Sequence, residues 1–168
     1  MMRWREKGIT RLEVAVVAAI FAILIGTFLN TVRLQQEQAE KLVMELNIMS
    51  MRTALLAEIT ERLLQGRSTE SKDLLGANPV RFLKGPPVGY LGEFKEIDES
   101  RLAAGVWYFD LAANELVYRL NLSSGFKRLD GMGAKEIRWK IAPRDKSSRN
   151  IVTVDAISLS PTVNFEWF

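Results

Sequence analysis

The sequence of 168 residues contains no cysteine and no histidine. Without cysteine the chain forms no disulfide, so its fold must depend on side-chain packing alone. The same absences remove the commonest metal ligand, the commonest general base and the thiolate nucleophile of covalent catalysis. Carboxylates, serines and lysines remain, but no set of them converges in the sequence, and we therefore expect the protein not to be an enzyme.

Charge of one sign is not concentrated anywhere in the chain. The net charge of +3 comes from a small basic excess that is spread along the sequence, without a dense block of Lys or Arg. Phe126, Lys127 and Arg128 form a short basic and aromatic cluster of the kind that contacts nucleic acid. One such cluster is too little to predict that function, so we expect neither a nucleic-acid partner nor a small-molecule substrate.

Metal-binding residues are equally sparse. The stretch from Asp130 to Gly133 is a candidate calcium loop, since it places one carboxylate among glycines. Calcium takes six to eight oxygen ligands, and a single acidic residue does not supply them. We therefore expect no cofactor, with calcium near Asp130 as the weak alternative.

One long hydrophobic run is present, from Leu12 to Val32, and Glu13 is its only charged residue. At about 1.5 Å per residue, a helix of this length spans the roughly 30 Å hydrocarbon core of a bilayer. Basic residues dominate the segment before it, which predicts a cytoplasmic N-terminus and an outward-facing remainder. A cleaved secretory signal is the alternative, but it would have a shorter apolar region and a small-residue cleavage site. The side chains expected to lie in the membrane include Leu12, Val16, Ile20, Phe21, Leu24 and Phe28.

Glu13 is the unusual residue of this run. A carboxylate inside a membrane segment is a functional-site candidate because an isolated charge is costly there. The alternative is that Glu13 extends to the cytoplasmic headgroups, or pairs with Arg11 or Lys7.

The stretch Lys7-Gly8-Ile9-Thr10-Arg11-Leu12-Glu13, followed by an unbroken aliphatic helix, resembles the class III signal of type IV pilin-like proteins. This family includes pilins, minor pilins and the pseudopilins of type II secretion. The resemblance implies that a prepilin peptidase cuts after Gly8, that Ile9 becomes the N-methylated first residue, and that Glu13 meets the terminal amine of a neighbouring subunit. In a low dielectric, such a pair is favoured over either ion alone.

The resemblance also implies partners and a location. The partners are the prepilin peptidase, other pilin-like subunits and an inner-membrane assembly platform. The protein would cross the inner membrane once, with its outer domain in the periplasm, and then enter a pilus or pseudopilus. Ile9 replaces the usual phenylalanine, and Asn30 stands where many major pilins have proline. Arg11 stands where an apolar residue is normal, which favours a minor, low-copy subunit.

Beyond the membrane run, residues 34–66 predict a continued, amphipathic helix of good helix formers that ends at Gly66. Its apolar positions fall into two rows on nearly opposite sides, so a second packing partner is expected besides the sheet. Bundling of helices at the centre of a fibre would supply it; burial on both sides within one domain, or a coiled-coil dimer, are the alternatives. The first row is Met44, Ile48, Met51, Leu55 and Ile59; the second is Leu42, Leu46, Met49 and Leu56.

After the helix comes an irregular segment, and from residue 105 onward apolar residues alternate with a period of two. Residues 67–104 have the Pro/Gly punctuation of an irregular connection, and residues 105–168 alternate as strands do. The predicted strands are "GVWYFDLA", "NELVYRLNL", "KEIRWKIA" and "NIVTVDAISLS", with "VNFEWF" as a terminal edge strand.

The predicted fold is therefore α+β: a long N-terminal helix, half membrane-spanning and half amphipathic, packed against a small antiparallel sheet of about four strands, as in pilins. The predicted organisation is a leader at 1–8, the membrane half of the helix at 9–33, its amphipathic half at 34–66, the connection at 67–104 and the sheet at 105–168.

Two other functional classes are open at the level of sequence. An uncleaved, signal-anchored periplasmic adaptor of a non-filamentous envelope complex would share the helix and the outer domain, but Gly8 and Glu13 would then be irrelevant. A membrane-tethered hydrolase would need carboxylates that converge in a pocket with shifted pKa values, and the sequence offers no such set.

Overall fold

The computed structural model describes residues 11–66, 73–98, 102–131, 133, 135–143 and 157–168. Gly8 and Ile9, the predicted processing positions, lie outside the described residues. The contacts divide the chain into two units, one up to Ala39 and one that begins at Glu40. The second unit is called the outer unit below.

One long helix, α1, runs from Arg11 to Leu64 and contains 54 residues. Its second half lacks glycine and proline, and the Arg62 guanidinium lies 2.7 Å from the Glu58 carboxylate one turn earlier, which supports the helix. The helix stops before Gly66, whose positive φ of 72° is a conformation that favours glycine and is common just after the end of a helix. The predicted end of the helix is thus correct to within two residues.

Within its described residues, the outer unit contains seven strands and a short 3-10 helix from Pro79 to Phe82. Five strands form one sheet in the order β1-β2-β3-β5-β6, and β4 pairs with β7 in a second sheet of two strands. The strands are β1 Tyr90–Phe94, β2 Val106–Asp110, β3 Glu115–Arg119, β4 Phe126–Arg128, β5 Glu136–Pro143, β6 Ile157–Pro161 and β7 Phe165–Trp167.

The predicted sheet of about four antiparallel strands was too small and too uniform. β2, β3, β5 and β6 are antiparallel neighbours, as predicted, but β1 joins the edge of the sheet parallel to β2. Its register shifts between Tyr90 and Glu93, where Gly92 has a φ of 115°. This irregularity removes the alternation by which a strand is detected in sequence, so β1 fell within the predicted connection.

The core of the outer unit lies between α1 and the inner face of the larger sheet. Met51, Leu55 and Ile59 of the predicted first row are 2% exposed or less. From the sheet, Trp107 packs with its ring centroid 4.5 Å from Tyr118 and 5.6 Å from Trp139. Burial of these apolar surfaces, at about 25 cal/mol per Å², is what holds a domain without disulfides together.

The opposite face of the sheet is less solvated than alternation predicts. Val117, expected on the solvent side, is fully buried, as is its cross-strand neighbour Tyr108. Arg138 is the other neighbour of Val117, and its guanidinium binds carboxylates of Asp110 and Glu136. A network of charges at the rim therefore shields a small apolar patch at the centre of this face.

Candidate functional site

The N-terminal half of α1 carries an apolar surface that the other described residues do not cover. The helix is long and apolar enough to cross a membrane, and none of its most apolar stretch is buried. A core helix of a soluble domain passes the same test of length and composition, but most of it would be buried. We call this surface the anchor surface; of the predicted membrane residues, Leu12, Val16, Ile20, Phe21, Leu24 and Phe28 are all at least 52% exposed.

Glu13 lies in the first turn of the described helix and is exposed, two residues after Arg11. On the described chain, Glu13 is therefore placed at the start of the anchor surface, with Gly8 and Ile9 a few residues before it.

The second apolar row of α1 is also uncovered. Leu42 is 58% exposed, Leu46 53%, Met49 63% and Leu56 45%. Burial on both sides of the helix within one domain is thus wrong for the described residues, because only the first row packs on the sheet. We call the second row the outer stripe.

Part of the outer stripe borders a groove. Leu46 and Met49 contribute to its floor, with Thr53 and Ala57 further along α1, and Phe82 to Lys84 form the opposite wall. The groove has a volume of about 640 Å³ and is open to solvent. Its lining combines apolar side chains such as Leu46 and Met49 with the charged side chains of Glu58, Glu61 and Lys84.

The start of the outer unit is fixed by Glu40. One carboxylate oxygen accepts hydrogen bonds from the Tyr118 hydroxyl at 3.0 Å and from the backbone N–H of Asn121 at 2.6 Å. The other accepts from the N–H of Leu122 at 2.9 Å. Burial and the nearby Glu40 carboxylate raise the pKa of Tyr118, so its hydroxyl keeps its proton. Glu40 thereby joins α1 to the end of β3.

Replacing Glu40 by glutamine is expected to lower the free energy of unfolding by about 2 kcal/mol, because an amide offers one acceptor oxygen where three donors converge. One N–H of the chain would then face the N–H group of the amide. Denaturant unfolding of the full chain in detergent, followed by tryptophan fluorescence, measures the change. Glu45→Gln is the matched control, since the exposed Glu45 carboxylate lies 3.9 Å from Lys41; equal effects of the two variants would contradict the role of Glu40.

A cluster of polar side chains holds together parts of residues 67–104, the predicted connection. The Asn78 side chain donates to the Tyr90 hydroxyl at 2.7 Å and to Glu93 at 2.8 Å, and its oxygen caps the 3-10 helix at Val80. Arg81 binds both carboxylate oxygens of Glu93. The hydrogen bonds of Arg81 and Asn78 lower the pKa of Glu93, so this carboxylate stays charged.

The candidate calcium ligand Asp130 is engaged elsewhere. Both of its oxygens accept from the Arg128 guanidinium, at 3.1 and 2.6 Å. Among the described residues, no group of three or more acidic side chains is arranged to hold a metal ion. Among the described residues, Asp130 is thus the partner of Arg128 in an ion pair.

The basic and aromatic cluster is divided between two roles. Phe126 packs against Phe165 and edge-on against Trp167, each with ring centroids 5.7 Å apart, so it belongs to the small β4–β7 sheet. Arg128 holds Asp130, and only Lys127 is exposed. A stacking platform for bases needs exposed aromatic faces, and this cluster does not provide them.

Sequence reasoning did not identify Glu40 or Arg52 as important. Each is an ordinary polar residue between apolar positions of a helix, and its partner lies at least 78 residues away in the chain. No local pattern marks such a residue, because only the tertiary fold determines which helical charge meets which backbone group.

No family model, no curated protein and no solved structure matches this chain. The functions of its residues are therefore inferred from their own positions and chemistry.

Proposed function

We propose that this protein is a structural subunit of the type IV pilin-like class, a minor pilin or a pseudopilin. In this proposal it is stored in the inner membrane through the anchor surface. A prepilin peptidase cuts it after Gly8, Ile9 is N-methylated, and the subunit enters a pilus or secretion pseudopilus. Its role is mechanical, without a catalytic site.

One observation carries the proposal: an apolar helix half that is uncovered on all sides begins with a carboxylate. In water, an apolar surface of this extent would drive association. In a bilayer it is covered by lipid, and in a filament it is covered by the same surface of other subunits. In a filament, a cation of another chain could approach Glu13, and cleavage after Gly8 would create such a cation at Ile9.

The outer stripe supports the same proposal from the other half of the helix. Leu42, Leu46 and Met49 face outward although their neighbours in the first row pack tightly on the sheet. A filament in which helices pack together would cover this stripe. The coiled-coil dimer is a simpler way to cover it, but a dimer provides no role for Glu13.

Intact mass spectrometry of the native protein tests the proposal. In cells with an active prepilin peptidase, we expect the mature chain to lack residues 1–8 and to carry one added methyl group at Ile9. A Gly8→Val variant is expected to keep its leader, whereas Gly26→Ala, at a helical position with no heavy atom within 4 Å of the added Cβ, should be processed normally.

If the native protein still begins at Met1 in such cells, the proposal is wrong. That outcome would favour an uncleaved, signal-anchored adaptor, whose outer unit would bind a partner in the envelope. In that case Glu13→Ala would leave its localisation and its complexes unchanged.

A further inference from the structure

The open edge of strand β6 carries a feature that the proposed function does not use. β6 is the last strand of the five-stranded sheet within the described chain, and β5 is its partner on one side. Thr162 donates its N–H to the Arg138 carbonyl, which fixes the pairing pattern at this end. By the alternation of an antiparallel ladder, the backbone groups of Leu159 and Pro161 then point away from β5, toward the open edge.

Both of these outward positions are blocked for strand pairing. The Arg52 side chain of α1 donates its Nε–H to the Leu159 carbonyl at 2.9 Å, so this acceptor is already occupied. Pro161 has no N–H, so the next outward position lacks a donor. A strand that added here would therefore lose one of its two backbone hydrogen bonds at each of these positions.

Within the described residues, Pro161 is exposed at the end of β6, whereas Leu159 is 1% exposed. A cleft of about 310 Å³ lies between α1 and this end of the sheet, and Arg52, Pro161 and Phe165 are among its lining residues. Unpaired edges of this kind are templates for another chain, and natural sheets block them with charged side chains, prolines or bulges. The opposite edge, β1, has a bulge with Gly92 at positive φ.

We propose that Arg52 is an edge guard, a side chain that keeps β6 of one copy from pairing with β6 of a second copy. The anchor surface concentrates copies of the chain in one membrane or micelle, where even weak strand pairing would compete with ordered assembly. Arg52 suppresses this pairing because its guanidinium already donates a hydrogen bond to the outward-facing Leu159 carbonyl of the same subunit. The guard does not depend on the proposed filament, because it acts between any two copies.

The absence of cysteine from the chain allows a direct test in the full-length protein in detergent micelles. If two β6 strands pair antiparallel about Leu159, Ser158 of one copy lies opposite Ser160 of the other. Mixing a Ser158→Cys protein with a Ser160→Cys protein would then yield a disulfide-linked dimer under mild oxidation, because Cβ atoms of opposite residues are about 5 Å apart.

In this mixture, Arg52→Met is expected to raise the yield of linked dimer by about tenfold. The Leu159 carbonyl then becomes available to an added strand, and one hydrogen bond has an effect of about this size. Methionine retains an apolar stem for packing but has no donor. Arg62→Met, which removes an equal charge from the same helix, is the control. A yield in folded Arg52→Met equal to that of Arg62→Met would overturn the proposal.

Pro161→Ala provides an independent check if Arg52→Met disturbs the fold. It restores an N–H at the outward position and leaves α1 unchanged. We expect it to raise the yield of linked dimer as well, and the double variant to exceed either single one. No increase with Pro161→Ala in a folded protein would show that this edge does not pair, and the guard would have no function.

Discussion

Glu13→Gln is expected to reduce incorporation of the subunit into filaments by about a hundredfold. In the proposed assembly, the carboxylate neutralises the terminal amine of a neighbouring subunit at the membrane. Removing one partner of an ion pair in a low dielectric leaves the other charge uncompensated, at a cost of about 3 kcal/mol or more. The ratio of subunit in sheared filaments to subunit in the membrane fraction, by quantitative immunoblotting, measures this effect.

Two controls separate assembly from other causes. Glu61→Gln removes an exposed carboxylate from the same helix and should leave incorporation unchanged. Glu13→Asp keeps the charge on a shorter side chain and should retain a large part of the incorporation. Removal of residues 1–8 must also be confirmed in each variant, since an unprocessed precursor would fail for another reason. Normal incorporation of processed Glu13→Gln would contradict the role assigned to this carboxylate.

Leu55→Ala and Leu56→Ala are expected to change the stability of the monomer by very different amounts, although they are the same substitution at adjacent positions. Leu55 is 2% exposed in the core, and truncation there should lower the free energy of unfolding by about 3 kcal/mol. Leu56 is 45% exposed on the outer stripe, so its truncation should change stability by less than about 0.5 kcal/mol. Denaturant unfolding of both variants in detergent measures the difference.

The same pair also tests the outer stripe. In the proposed filament, Leu56→Ala should lower incorporation several-fold, because the lost contacts lie between subunits, whereas its folded monomer should be as stable as the unmodified chain. If Leu56→Ala instead destabilises the monomer as much as Leu55→Ala does, the stripe is covered within the subunit. The filament would then lose its second line of support.

Helical periodicity predicted α1 well because one physical signal extends over many residues. The row of Met51, Leu55 and Ile59 was identified from spacing alone, and the structure shows that this row, rather than the second one, is buried in the core. Likewise, the alternation around Ile137 and Trp139 identified β5, whose inward side chains are buried. Long regular elements repeat their pattern often enough for sequence to specify them.

Short and irregular elements were missed for the same reason. β4 has three residues, too few to show any period, and β1 is interrupted at Gly92. The parallel pairing of β1 depends on how the chain returns to the sheet, which no local pattern encodes. Glu40 was missed because its three hydrogen-bond donors come from a distant part of the chain.

The carboxylate at the start of the outer unit also determines how that unit would respond to force. Tension applied through the N-terminal half of α1 enters the outer unit at Glu40, whose three hydrogen bonds hold the end of β3. The next residue, Lys41, donates to the Trp167 carbonyl at 2.7 Å and so holds β7 as well. The tension is thus divided between the end of β3, which Glu40 holds, and β7, which Lys41 holds. In the proposed filament, a subunit built in this way would resist unfolding strand by strand under tension.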